Sequence, residues 1–262
     1  MPAFVRALSF SSLALAIGAF LLCLTVVSTL SGFALERALS KRRIFAVPLF
    51  EGQYRFELLG NAVFLTVISL SLALGLKLDL VRFGARGPLA AMLTFFAMVL
   101  GFQGYYWCLH RAMHTPALLP MHRWHHRSQV TTPLTGQSVS VFEAIGWAIA
   151  FVGLPWLFGL LTPVSFWGWA GYIVFNTFGN IVGHSNVEPT MPATATRFAT
   201  YFANAFVYHS LHHARWNGHY SFQSALMDRL MGTEWSDWHA LFERIIAGHP
   251  LQSLSERGDE PK

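Results

Sequence analysis

Residues 7–35 contain no charged side chain, and apolar runs long enough to cross a bilayer recur near 8–31, 58–78, 88–109, 139–161 and 163–183. A helical crossing needs about 20 predominantly apolar residues. Lipid offers no water to backbone N–H and C=O groups, so such a segment must satisfy them internally. Pro88 opens the third run, and Thr162-Pro163 separates the last two into a hairpin. The fold class this predicts is all-α: a multi-pass membrane helical bundle with a cytoplasmic-side helical cap. Leu8 to Leu30 is too long for the apolar region of a secretory leader and reads as a retained span.

The composition agrees, at 53% hydrophobic and only 12% charged residues. The net charge of +5 does not point to nucleic acid, because no basic run interleaved with aromatics is present. Short basic loops instead set membrane orientation. Arg37, Lys41, Arg42, Arg43 and Arg55 make segment 36–57 the expected cytoplasmic loop, and Arg111, Arg123 and Arg127 agree, while Lys77, Arg82 and Arg86 oppose. Residues 198–208 are too short to span and are expected to form an interfacial or buried helix. The organisation predicted is N-terminal membrane spans over 1–87, a catalytic domain over 88–248 and a polar C-terminal tail over 249–262. Cys23 and Cys108 lie inside apolar stretches and are expected to be small buried hydrophobes rather than a disulfide or a thiolate site.

Into this apolar chain are set three histidine clusters: His110/His114, His122/His125/His126 and His209/His212/His213. Residues i, i+3 and i+4 share one helix face, so each cluster can aim its ring nitrogens at a common point. Imidazole is a good ligand for iron, zinc, copper and nickel. On the expected topology all three clusters, with His184 after the last span, fall on one side of the membrane. Ionisable groups placed so usually mark function. A polyhistidine site for two metal ions follows. Glu143 reads as a partner of a ligand histidine or as a plain interfacial carboxylate. Asn180, four residues before His184, reads as a helix-packing amide or a holder of metal-bound water. His219, His239 and His249 are assigned no metal role, the last two as surface residues.

The segments YYWCLHRAMH (105–114), MHRWHH (121–126), GHSN (183–186), HSLHH (209–213) and DRLMGTE (228–234) resemble the fatty acid hydroxylase / sterol desaturase superfamily of membrane oxidoreductases. The resemblance spans roughly residues 100–235 and makes 88–248 a fatty acid hydroxylase-like catalytic domain. Gln103 stands where many members carry an aspartate, Met227 where a tryptophan is common, and Asn217-Gly218-His219 where an Asn-x-Gly turn is usual. The resemblance implies two iron ions (Fe2+, with zinc as a substitute) held by His110, His114, His122, His125, His126, His184, His209, His212 and His213. All but His184 would also count as catalytic. It further implies an O2-dependent hydroxylation or desaturation of a lipid C–H bond.

The expected partners are a lipid substrate, dioxygen, the membrane and a separate electron donor such as cytochrome b5 or ferredoxin, since no dinucleotide fingerprint is present. Ligation requires neutral imidazoles, so activity is expected to fall below about pH 6, near the ordinary histidine value. Two rival functions are a metal transporter, which would place ligands near the bilayer midplane, and a catalytically silent lipid-binding relative.

Overall fold

The computed structural model describes residues 1–191 and 199–258; the expectations for Phe198 and for the last four residues of the tail lie outside the described residues. Helices begin where the chain supplies the missing acceptors of a first turn. A short helix α1 (Ala3–Ala7) precedes α2 (Phe10–Ala38), whose first turn is capped by Ser9 Oγ accepting from the Ser12 N–H at 3.1 Å. Next come α3 (Gln53–Lys77) and α4 (Pro88–Met113), the latter started by a proline whose lacking N–H costs nothing there. Ser140 and Ser165 cap α6 (Val141–Leu161) and α7 (Phe166–Gly183) in the same manner as Ser9. Among the described residues there is no strand, only isolated bridges.

Helices α2, α3, α4 and α6 are long and apolar enough to cross a membrane. The fifth expected span, 163–183, is the 18-residue helix α7, which is less apolar because Gly, Trp, Asn176 and Asn180 interrupt its aliphatic residues. The outer faces of the bundle are apolar: Leu15, Leu22, Leu58, Leu100, Ile149 and Leu161 are all exposed. So large an apolar exterior belongs in lipid. The inner faces meet in one core around Phe64, Ile68, Met98, Phe102, Phe151 and Tyr172. Cys23 and Cys108 are exposed, correcting the expectation of buried thiols: both fall on the outward faces of their helices, where a small apolar side chain meets lipid equally well.

A second core caps one end of the bundle. It packs α8 (Phe206–Arg215) and α10 (Trp238–Ile246) around Tyr208, Leu211, Trp238, Leu241 and Ile245, with Ile44, Phe45 and Leu251 closing it. The small helices α5 (Leu119–His122) and α9 (Leu226–Leu230) join cap to bundle. Two local expectations change. The MHRWHH segment is α5 followed by a separate 3-10 turn, His125–Arg127, rather than one helix. The described part of 198–208 is a 3-10 turn at Ala199–Tyr201, then irregular chain, with helix resuming only at Phe206.

Candidate metal centre

The histidines meet at the junction of bundle and cap. His110 lies in the last turn of α4 and His114 ends that helix; His122 ends α5; His125 and His126 occupy the following 3-10 turn; His184 ends α7; His209, His212 and His213 share α8. One group joins His110, His114, His122, His126 and His212, and a second joins His125, His184, His209 and His213. Within each group the candidate ligand atoms lie within 4.8 Å of one another. The groups adjoin, with the rings of His126 and His213 stacked at 4.7 Å. All nine expected residues are therefore brought together.

Tautomers follow from the neighbours. A carbonyl oxygen can only accept, so Nδ1 of His110, held 2.6 Å from Tyr220 O, carries the proton, as does Nδ1 of His212, 2.7 Å from Gly218 O. Their Nε2 atoms are then bare lone pairs, yet they face each other at 3.0 Å. His184 and His213 repeat the pattern: Nδ1 donates to Asn180 O at 2.6 Å and Ser128 O at 3.0 Å, while each Nε2 lies 3.2 Å from Nε2 of His209. Nε2 of His114 and of His122 is buried with no hydrogen-bond partner among the described residues. Converging lone pairs repel unless a cation lies among them. The donor set fits a metal in each group.

Burial keeps these rings neutral. It pushes His114 and His125 down to about 4 and His184 down to about 3, with the nearby His125 ring adding to the effect for His114 and His184. Burial first, and crowding by other histidines second, hold His122, His126, His209 and His213 well below the ordinary value. The rings are therefore ready to ligate well below pH 6, so the ordinary histidine value does not set the acid limit of the site.

Buried acids and carbonyls orient the ligands. Glu143 Oε1 lies 2.9 Å from Nδ1 of His122, both buried, in a close contact whose angle is poor for a hydrogen bond. Of the two readings of Glu143, the ligand partner is the one the geometry supports. Asn180 bonds the carbonyl of Gly136 through its side chain, the packing role.

Two acids escaped the sequence reading. Glu57, on α3, accepts from Gln53 Nε2 (2.8 Å), Ser128 Oγ (2.8 Å), Thr132 Oγ1 (2.6 Å) and Thr135 Oγ1 (2.7 Å). It organises the buried loop 128–138, whose end carbonyls hold His213 and His125. Asp228 accepts from Trp107 Nε1, Tyr208 Oη, Thr233 Oγ1 and the N–H groups of Tyr220 and Ser221. It thereby fixes the turn whose carbonyls hold His110 and His212. A lone acid at the start of an apolar run was the available signal for Glu57; nothing in the sequence announced its partners.

His219 lies outside both groups and is fully buried: its Nδ1 donates to Tyr208 O at 3.0 Å and its Nε2 accepts from the Trp235 N–H at 2.9 Å. His239 is half-buried on Trp238 rather than at the surface, and His249 is exposed.

A helical membrane bundle ending in two adjoining groups of neutral imidazoles defines a membrane protein with histidine clusters that could hold metal. The sequence model of the fatty acid hydroxylase family matches residues 95–233, more than half of the chain, and the protein belongs to that family. Curated relatives include the very-long-chain aldehyde decarbonylase CER1 of Arabidopsis thaliana, 35% identical over 164 residues, which are 60% of this chain and 24% of that protein. The fatty acid hydroxylase vlmA of Lecanicillium sp is 30% identical over 158 residues, 55% of this chain and 42% of the relative. The very-long-chain aldehyde decarbonylase GL1-6 of Oryza sativa subsp. indica is 32% identical over 148 residues, covering 55% and 23%. The chain thus spans less than half the length of these relatives. No solved structure matches it.

Proposed function

We propose that this protein is a membrane di-iron oxidoreductase that uses dioxygen to hydroxylate or desaturate a C–H bond of a lipid, with the nine histidines as iron ligands. The observation that carries the reading is the set of bare Nε2 atoms facing one another in two adjoining buried groups. A bound iron pair would supply the redox chemistry that activates dioxygen toward an unactivated C–H bond. The chain's own residues do the rest. Tyr220, Gly218, Asn180, Ser128 and Ser138 carbonyls hold ligand Nδ1–H groups, fixing ring orientation and tautomer. Phe222, stacked on His184 at 5.2 Å, and Tyr106, edge-on to His110 at 5.1 Å, keep water from the lipid side of the site.

Hydroxylation consumes dioxygen, two electrons and two protons and yields an alcohol and water. A separate electron donor of the cytochrome b5 or ferredoxin kind would supply the electrons, and the basic residues around 36–57, 111, 123 and 127 support a cytoplasmic-side site. Aldehyde decarbonylation is a second reading, favoured by the similarity to the Arabidopsis and rice proteins.

The test is the metal content of detergent-purified protein beside a His212→Ala, His213→Ala double variant. These residues belong to different groups, so the double variant strikes both. Two irons per chain, lost in the variant, are expected; metal unchanged in the variant would overturn the reading. Metal-dependent flux through proteoliposomes without oxidation would favour a transporter instead, and full iron without oxygen consumption on any lipid would favour a silent relative.

A further inference from the structure

A cavity of about 520 Å³ lies between α4, α7 and the segments 201–206 and 222–227, and it reaches His209 of the second histidine group. Its wall is almost wholly apolar, with Val99, Leu100, Phe175, Phe178, Phe202 and Phe222 among its lining. Leu100, Phe175, Phe178 and Phe202 are also exposed on the outer surface, so the cavity opens sideways toward lipid. Gly104 faces it: a Cβ added there would meet nothing within 4 Å. A glycine inside a helix costs stability relative to alanine. Here it keeps the wall clear.

Three amides interrupt this apolar wall: Asn204, whose Nδ2 donates to Phe222 O at 3.2 Å, and the pair Gln103 and Gln223. Gln103 on α4 donates through Nε2 to Gln223 Oε1 at 2.6 Å. The Oε1 of Gln103 and the Nε2 of Gln223 find no hydrogen-bond partner among the described residues. Both side chains are half-buried and line the cavity. A free amide donor and acceptor facing an apolar cavity are costly unless a ligand uses them. Among the described residues no Lys or Arg lines the cavity to compensate a buried carboxylate.

We propose that Gln103 and Gln223 form a subsite that takes the neutral hydroxyl or carbonyl oxygen of a long-chain lipid and disfavours a free fatty acid. The subsite deepens the oxidative reading given above and rests on it. A neutral oxygen accepts from the free Nε2–H of Gln223, and a hydroxyl also donates to Oε1 of Gln103. The chain that carries this oxygen fills the apolar remainder and reaches His209. A mere tie between α4 and the 222–224 segment would use one donor and one acceptor and would be blind to the chemistry of the lipid.

The test is equilibrium binding of radiolabelled octadecanol to the metal-loaded protein in detergent, with octadecanal, octadecane and stearate as competitors. Octadecanal, which makes only the first of these bonds, should compete less well than octadecanol, and octadecane and stearate at least about tenfold less well, the upper worth of one neutral hydrogen bond. The isosteric Gln103→Met, Gln223→Met double variant should lower octadecanol affinity about tenfold while leaving octadecane binding and metal content unchanged. Gly104→Leu should block all four lipids. Stearate binding as well as octadecanol, equal losses for octadecanol and octadecane in the double variant, or undiminished binding in Gly104→Leu would overturn the subsite. Oxygen consumption is recorded separately: its absence with every lipid would count against the oxidative reading while the binding pattern still decided the subsite.

Discussion

Replacing Glu57 by alanine should empty the second histidine group without touching a single histidine. Its carboxylate is fully buried and receives four side-chain donors at 2.6–2.8 Å, three of them from the loop 128–138. Each buried donor left without an acceptor costs about 1–3 kcal/mol. The three hydroxyls can rotate and the loop can relax, so the low end applies, giving about 4 kcal/mol for the four together. That is a large part of the roughly 5–15 kcal/mol by which a folded domain is stable. The damage falls on the loop whose Ser128 and Ser138 carbonyls orient His213 and His125. Loss of such orienting partners typically costs about 10–100-fold in metal affinity. Glu57→Gln separates shape from acceptor count. Its amide oxygen can take the place of Oε1, which serves Gln53, Ser128 and Thr135, while its NH2 meets a Thr132 hydroxyl that can turn to accept. About 1 kcal/mol is the expected loss for this variant. The assay is iron per chain by mass spectrometry together with the melting temperature in detergent. Glu57→Ala with full metal and an unchanged melting temperature would refute the argument, as would Glu57→Gln as damaged as Glu57→Ala.

Three further outcomes are expected. Glu143→Ala removes the carboxylate 2.9 Å from His122 Nδ1 and should weaken metal binding about 10–100-fold, read by chelator competition; unchanged affinity would make Glu143 a bystander. Gly136→Ala would place a Cβ 2.8 Å from Asn180 O and 3.1 Å from Nδ1 of His184, so it should displace that ring and lower metal occupancy of the second group, seen as a fall in iron per chain. Metal-free protein should lose stability as pH falls below about 6.5: unfolding lets His114, His125 and His184 take up protons that burial refuses them, at about 1.4 kcal/mol per histidine per pH unit until the folded values of about 4 and 3 are reached. Melting curves that stay flat from pH 6.5 to 5 would contradict this sign.

The carboxylates of Glu57 and Asp228 work alike at opposite sides of the site. Among the described residues neither forms an ion pair with a cation, and each is surrounded by N–H and O–H donors from more than one element. A buried charge so enclosed is tolerated because its hydrogen bonds replace those of water. Each thereby converts irregular chain into a rigid frame for carbonyls that point at ligand rings. Glu188 adds a third anchor by accepting from the Val207 N–H at 2.8 Å, in the first turn of the helix that carries His209, His212 and His213.

Much of this was legible along the chain because it is local. Apolar runs and the proline and serine residues at their starts specify the helices, since a membrane leaves the backbone no other partner, though α2 and α4 run on past the apolar run and α3 starts before it. Spacings of three and four made the sets on α4 and α8 visible as shared faces. What the chain could not show by itself is everything that joins distant segments. Tertiary packing alone divides the nine histidines into a five and a four, placing His125 and His126, adjacent in sequence, in different groups. The 3-10 turn at 125–127 rotates successive side chains apart, which no helical spacing foretells. Glu57 acquired its role from a loop more than seventy positions away, and Gln103 met Gln223 across 120. Sequence pattern determines which face of an element is apolar or ligating; only the packed fold decides which faces meet, because that choice depends on shapes and hydrogen bonds contributed by many segments at once.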